Sequence, residues 1–540
     1  MKKIRIPILL CFALAALAGC YEDKTTYAAN PIDPVELHSD EEQQTLRVGY
    51  LEPFDMAPRI TKGGREDDPD LSYEWAINTI PGKTEFEVIG QEKELHTVLT
   101  NPIASSYYTL KLTVSDKAHD DLQYIFTWKV YVQSAFLDGL LVCDTQDGKT
   151  SDFSLIMNRR LTTNYDKEEK IMRHFLSQAG HPYPGLVESL AVSTYGNYGS
   201  TNIINQLWAI DRDGRAVYYD CKDYSMVSME EIFTYIPAGM KVYQVFKTNQ
   251  NFMASCSNGI YVITPGSTKE LGWPNSVASS YPINNRAVAS YSREDLVSGC
   301  ASWFCKEKAE LVSFNGQFSS QQYTTYHSDE PLEGKSAVAA GMTTDHETPA
   351  ILMKDDASGE YAIYILQRYV AEQGYWDATY ENWTQTAPEI PAAVRTIHPI
   401  PATGKALLDR AVGIAFCCTE NILYVATTEG VHVINFAGAQ VTVSDSKFSP
   451  DAETVTGIKL YQQGQYVYNL RLVYNPGGTT KCPLLDLTNR ALIVTTQKSD
   501  AEGFVYVLPM TQIGTGNLDV ASAMRYDGFG KILAVSTTIL

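Results

Sequence analysis

One motif recurs along residues 136 to 540: a short apolar strand, a Gly or Asp/Asn turn, then a second strand. It occurs at Gly139-Leu-Leu-Val-Cys143, in Gln206–Tyr219, Asn258–Ile263, Glu310–Gly316 and Tyr361–Leu366. It returns in Asn421–Ile434, and again in Ala491–Thr496 with Gly503–Leu508. Counted from residues 140, 207, 260, 311, 361, 423 and 492, the units lie 67, 53, 51, 50, 62 and 69 residues apart. A unit of that size holds about four strands and cannot bury its apolar face alone, so it must stack on neighbours. The repeat predicts a β-propeller, with seven blades favoured. Six or eight stay open, because no Trp-Asp or kelch signature sets the register. The sequence closes on Lys531-Ile-Leu-Ala-Val-Ser-Thr-Thr-Ile-Leu540, a strand with no hairpin partner after it. A propeller ring is sealed by pairing its last strand with its first blade, which removes two open edges. Residues 532 to 540 are therefore expected beside Leu140–Cys143.

Residues 41–135 read differently. Leu71-Ser-Tyr-Glu-Trp75, Tyr107–Asp116 and Tyr124–Val132 each alternate apolar and polar positions, the pattern of strands buried on one face. Several such strands in about a hundred residues predict an immunoglobulin-like sandwich. Tyr73-Glu74-Trp75 followed by Tyr108-Thr-Leu-Lys-Leu-Thr-Val-Ser-Asp116 resembles the polycystic-kidney-disease (PKD) type of sandwich, with its early Tyr-x-Trp and late strand ending in Asp. The chain departs from that pattern at Ala76-Ile77-Asn78, where the family has a Gly-Asp-Gly turn. Helical signals are scarce; the clearest is the amphipathic stretch Asp166–Leu176. The fold class expected is all-β, a PKD-like sandwich at 41–135 followed by a propeller at 136–540.

The N-terminus supplies an address. A basic head (Lys2, Lys3, Arg5) precedes an apolar run from Ile6 to Leu17, too short to span a bilayer and suited to a secretory signal. Leu17-Ala18-Gly19-Cys20 looks like a bacterial lipoprotein signal, with residues 1–19 removed and lipid placed on Cys20. Several acyl chains there make a stable membrane anchor. Tyr21-Glu22-Asp23-Lys24 resembles the acidic export signal of Bacteroidetes surface lipoproteins, which implies an outer-membrane protein facing the cell exterior. Residues 20–40, with Pro31 and Pro34, read as the tether. The formal net charge is −20. Signal removal takes three basic residues and no acidic one. So acidic a surface argues against nucleic acid and against peripheral binding to anionic lipid.

Chemistry-bearing motifs are sparse. Ten cysteines occur, without a Cys-x-x-Cys pair, and the nine histidines show no metal-ligand spacing. No cofactor or metal is expected. Cys300 and Cys305 are the pair most able to bridge; the alternative is two reduced core thiols, since spacing does not fix geometry. No nucleophile elbow, His-Glu-x-x-His or phosphate loop is present, so no catalytic residue is assigned. Asp211-Arg-Asp-Gly214 and Asp355-Asp-Ala-Ser-Gly-Glu360 read as hairpin turns rather than calcium loops. The stretch expected to touch a ligand is Tyr375-Trp-Asp-Ala-Thr-Tyr-Glu-Asn-Trp383, with Tyr375, Trp376, Tyr380 and Trp383 as its rings. Large aromatics in a long connection, beside Asp, Asn and Glu, suit sugar stacking, peptide contacts or a protein partner. The alternative is that they cover a blade edge. Tyr195-Gly-Asn-Tyr198-Gly-Ser-Thr-Asn202, with Tyr195 and Tyr198 as its rings, is a second candidate; the alternative is a plain polar connection.

Taken together, the lipidated cysteine, acidic pair, PKD-like sandwich and propeller resemble a Bacteroidetes group of PKD-like lipoproteins. That resemblance implies partners: a SusC-like TonB-dependent barrel and a SusD-like lipoprotein. It also implies a role, as a non-catalytic accessory of such a nutrient importer that helps to capture glycan or peptide. Two rivals stay open. One is a purely structural subunit. The other is a surface hydrolase or lyase, which would need clustered carboxylates in the propeller channel.

Overall fold

The computed structural model describes residues 32–38, 45–104, 106–136, 138–196, 203–233, 236–247, 252–263, 271–272, 281–292, 299–317, 320–344, 348–377, 379–463, 472–475, 478–481 and 485–538. The chain forms two compact units. The first comprises Pro53–Val98, Ala104–Tyr131 and the described residues up to Arg47. The second comprises Val132–Leu540 with two short segments, Val48–Glu52 and Leu99–Ile103.

In the first unit, one sheet has the order Thr45–Gly49, Leu122–Gln133, Tyr108–Asp116, Leu71–Asn78, Phe86–Gly90. A second sheet joins Val35–Leu37, Ile60–Lys62 and Arg65–Glu66, and Pro53–Met56 pairs with Leu95–Val98. Val35–Leu37 therefore belongs to the sandwich and not to the tether, whose expected limit at residue 40 is too late. Alternation carries Leu110, Leu112 and Val114 inward. They meet Trp75 and Trp128, whose buried rings lie 5.5 Å apart. The departure at Ala76-Ile77-Asn78 has a physical reason. These residues extend the strand, pair with Phe86–Val88 and are buried, so the turn moves on. The buried Asn78 side chain then ties that turn, donating to Ile80 O at 2.7 Å and accepting from Thr109 N at 2.6 Å.

A charge pair joins the three-stranded and five-stranded sheets of this unit. Lys62 Nζ donates to Asp116 Oδ1 at 2.7 Å, with side chains 4% and 0% exposed. Asp116 also accepts from Ala118 N and bonds His119 Nδ1. Burial alone would raise its pKa, but these partners, Lys62 foremost, hold it below the usual carboxylate value.

The second unit contains seven four-stranded antiparallel sheets among the described residues. They follow the chain as blades of a propeller. The first blade is built from both ends: Leu140–Thr145, Asp152–Met157 and Lys170–Met172 take Lys531–Thr537 as their fourth, innermost strand. The register is Leu140↔Thr537, Val142↔Val535 and Asp144↔Ile532, with a bulge between Cys143 and Asp144. Apolar clusters fill successive gaps. Trp208 meets Tyr261 between blades two and three, and Trp303 meets Met253 between three and four. Phe304 meets Tyr364, Phe416 meets Ile363, and Tyr424 meets Leu492 in the next three gaps. Leu140 and Ile156 of the first blade share a cluster with Ile493 and Val507 of the seventh. Phe153 and Tyr219, rings 6.0 Å apart, link blades one and two. Stacking on both faces is what lets each blade bury its apolar side chains.

The helix expected over Asp166–Leu176 does not form. Lys170–Met172 instead pairs with Leu155–Met157 as the outer strand of blade one, and only Phe175–Gln178 is helical. So short a helix is stabilised by its surroundings: Asp152 accepts from the Leu176 and Ser177 N–H groups, each at 3.0 Å, while Phe175 and Leu176 are buried. Cys300 and Cys305 are reduced. They stand at two ends of one strand, Gly299–Cys305, so their Cα atoms are about 16 Å apart at about 3.3 Å per residue, beyond disulfide reach. All seven described cysteines are reduced and buried. Asp211 and Asp355 sit at hairpin turns, Asp211 accepting from Asp213 N and Arg215 N and Asp355 from Ala357 N and Ser358 N.

Candidate functional site

The aromatic stretch lies in blade five, between its third strand, Tyr361–Gln367, and its outermost, Ala393–Pro399. It is not an irregular loop. Gln373–Trp376 and Trp383–Ala387 form a separate two-stranded sheet, with Trp376 opposite Trp383 and Tyr375 opposite Thr384. Reciprocal backbone hydrogen bonds between Val370 and Ile390 close its base. Tyr369 Oη donates to Glu389 Oε2 there at 3.2 Å, which raises the tyrosine pKa.

Facing pairs in a hairpin share a face, and neighbours along a strand do not. Trp376 and Trp383 therefore stand together, rings 5.4 Å apart and inclined at 54°. Gly374 lies on that same face. A Cβ there would come within 2.5 Å of the Trp383 ring, so only glycine lets the indole settle across the backbone. Tyr375 belongs to the other face. Tyr380 caps the turn with φ 57° and is 79% exposed. Tyr375, Trp376 and Trp383 are exposed too, as are Tyr369 and Ile390 at the base. These rings present apolar faces to solvent on a stiff support.

The polar residues of the stretch have a structural task. The Asp377 carboxylate accepts from Thr379 N, Thr379 Oγ1, Glu381 N and Asn382 Nδ2, at 2.6 to 3.1 Å. Asn382 and Thr379 in particular hold its pKa far below the usual value. Asp377 and Asn382 thus organise the turn, and the rings are left exposed beside it.

The other expected site residues separate. Tyr195 lies in the inner strand of blade two, Val187–Gly196, with Ile204 as its backbone partner. That is a different blade from the hairpin. Cys20 and Tyr198 lie outside the described residues.

Sequence reading missed a second feature. The inner strands of blades two to seven line a central channel of about 610 Å³. Its charged lining residues, among those described, are Arg286 and Lys459, with no carboxylate. Arg286 Nη1 pairs with Glu188 Oε1 at 2.6 Å. Lys459 Nζ donates to Val535 O at 3.2 Å, and burial pulls its pKa down to about 8. Among the described residues no group of three His, Cys, Asp or Glu side chains is placed to hold a metal, and no helix is long and apolar enough to cross a membrane.

Comparison with known proteins gives one family and several distant folds. No curated protein sequence matches the chain. Apo AztD from Citrobacter koseri superposes with a TM-score of 0.33 at 10% identity, covering 86% of this chain and 97% of that one. The six-bladed fucose-recognising lectin of Aleuria aurantia scores 0.26 at 9% identity, covering 63% and 96%. A Bacteroides thetaiotaomicron protein scores 0.25 at 10% identity, covering 94% and 99%. The propeller assignment rests on the strand pairing itself. The PKD-like family model matches residues 20–180, a span that includes the whole sandwich and three strands of the first blade.

Proposed function

We propose that this protein is a surface lipoprotein acting as a non-catalytic accessory of a SusC/SusD-type nutrient importer, where it helps to capture glycan or peptide. The exposed tryptophan hairpin of blade five carries this reading. A contiguous set of large rings on a braced hairpin is costly to leave in water, and such patches mark contact surfaces. The sandwich would act as the spacer and Cys20 as the anchor. The PKD-like match and the lipoprotein-type N-terminus support that arrangement. A hydrolase with paired channel carboxylates draws no support from the described lining.

The double variant Trp376→Ala/Trp383→Ala tests the site. The two rings lie outside the blade's own core, so thermal unfolding is expected within about 2 °C of wild type. Affinity for oligosaccharides or peptides that bind the wild type is expected to fall at least tenfold, about 1.4 kcal/mol, as read by calorimetric titration. Unchanged affinity would remove the hairpin from the binding site.

A further inference from the structure

We propose that the propeller's central channel binds a small carboxylate, seated on the Lys459 ammonium. This site is distinct from the hairpin and does not depend on it. Lys459 projects from the inner strand Thr454–Leu460 of blade seven. Its ammonium reaches the Val535 carbonyl on the neighbouring inner strand, and no carboxylate pairs with it among the described residues. A lysine has three donors, and one carbonyl satisfies one of them. Lys459 is half-buried in the channel wall, burial lowers its pKa, and an anion supplies the charge partner that the described lining lacks.

The cavity around it has room for a small ligand. Its volume, about 610 Å³, lies within the usual range for small-molecule pockets. Ile458, Leu460 and Ile414 are among the apolar residues of its walls. Val338 and Val412 line it and stay 39% exposed. Ser290, Gln244 and Gln462 add polar groups that can orient a bound molecule. Arg286 is already committed to Glu188, which leaves Lys459 as the channel's uncompensated cation among the described residues. A net charge of −20 repels anions at long range, so a carboxylate that binds must do so through local contacts. The carboxylate could belong to a uronic acid or to a peptide C-terminus; the chemistry at the lysine is the same.

Calorimetric titration of the full-length protein at low ionic strength separates these sources. The probes are D-glucuronate, N-acetylalanine and, as the neutral control, D-glucose. Wild type is expected to bind at least one of the two acids and not glucose. Lys459→Met is expected to weaken that binding at least tenfold, and Lys459→Arg to retain part of it. The Met variant should melt no lower than wild type, because it removes an uncompensated charge from a half-buried position. If it fails to fold, the Arg variant together with Lys459→Gln decides. Binding of neither acid to wild type, or equal binding to the lysine variants, would overturn the proposal. The hairpin double variant should keep full acid binding, so failure of the hairpin and failure of the channel are read separately.

Discussion

Deleting residues 532 to 540 is expected to abolish cooperative folding of the propeller. Lys531–Thr537 is the innermost strand of blade one, and its partner Leu140–Thr145 is buried at every position. Removing it strands the N–H and C=O groups of that buried strand. Each unsatisfied buried group costs about 1–3 kcal/mol, and a few of them exhaust the roughly 5–15 kcal/mol by which a domain is stable. The loss extends further. Ile532 and Val535 belong to the cluster that joins blades one and seven, and Thr538 N donates to Gly139 O at 2.9 Å. The expected thermal scan of the truncated protein shows a broad, early transition in place of the propeller's sharp one. A melting curve identical to wild type would contradict closure through this strand.

The same seam has a pH dependence. The buried Asp144 accepts from Gly530 N at 2.7 Å and pairs with His174 Nε2 at 3.2 Å. Asp144 is the main cause of the raised His174 pKa. A histidine whose folded pKa exceeds its unfolded value of 6.5 contributes stability that is complete below 6.5 and is lost as pH rises through the folded value. Stability is therefore expected to decline from about pH 6.5 upward, and His174→Gln is expected to flatten that limb.

The second large effect belongs to the sandwich. Asp116→Ala leaves the Lys62 ammonium buried without its counter-ion, the arrangement that makes one-sided removal of a buried pair so damaging. It also removes the partners of Ala118 N and His119 Nδ1. The transition reported by the buried Trp75 and Trp128 should fall by more than about 10 °C in a domain of this size. Replacing both partners, Lys62→Met with Asp116→Leu, should recover most of that loss, because neither charge then needs a partner. A single variant as stable as wild type would show that the pair does not hold the sheets together.

Much of the fold was legible because it depends on local pattern. Leu110, Leu112 and Val114 alternate, and the structure buries them together. The strand at the end of the sequence reads as apolar without a hairpin partner, and it lies against Leu140–Thr145. The repeat was legible as a repeat but not in register. The motif falls on the second strand in blades one, two, six and seven and on the third in blades three, four and five. Buried second and third strands carry the same apolar code, so periodicity cannot tell them apart. Asp166–Leu176 failed for a related reason. Ile171, Phe175 and Leu176 satisfy a helical period, but pairing with Leu155–Met157 provides backbone partners that a short helix in water lacks.

The hairpin's rings stood out by composition. Its stiffness did not, because the indole seated on Gly374 and the four donors around Asp377 are properties of the folded turn. The channel was invisible for a different reason. Its lining runs from Ser189 to Gln462, and one lysine in Thr-Gly-Ile-Lys-Leu460 looks like any strand position until six inner strands converge around it.

We propose the blade-five hairpin as the surface with which this protein meets its ligand or its importer. The most direct measurement places a photoreactive phenylalanine analogue at Tyr380, the most exposed ring of the hairpin, and for comparison at Ile513 in blade seven, which is 86% exposed. Cells carrying each variant are irradiated and the cross-linked products identified. The expected result is a high-mass product from position 380, containing a large outer-membrane barrel, its lipoprotein partner or a captured glycan or peptide, with none from position 513. Equal products from both positions, or none from position 380, would contradict it.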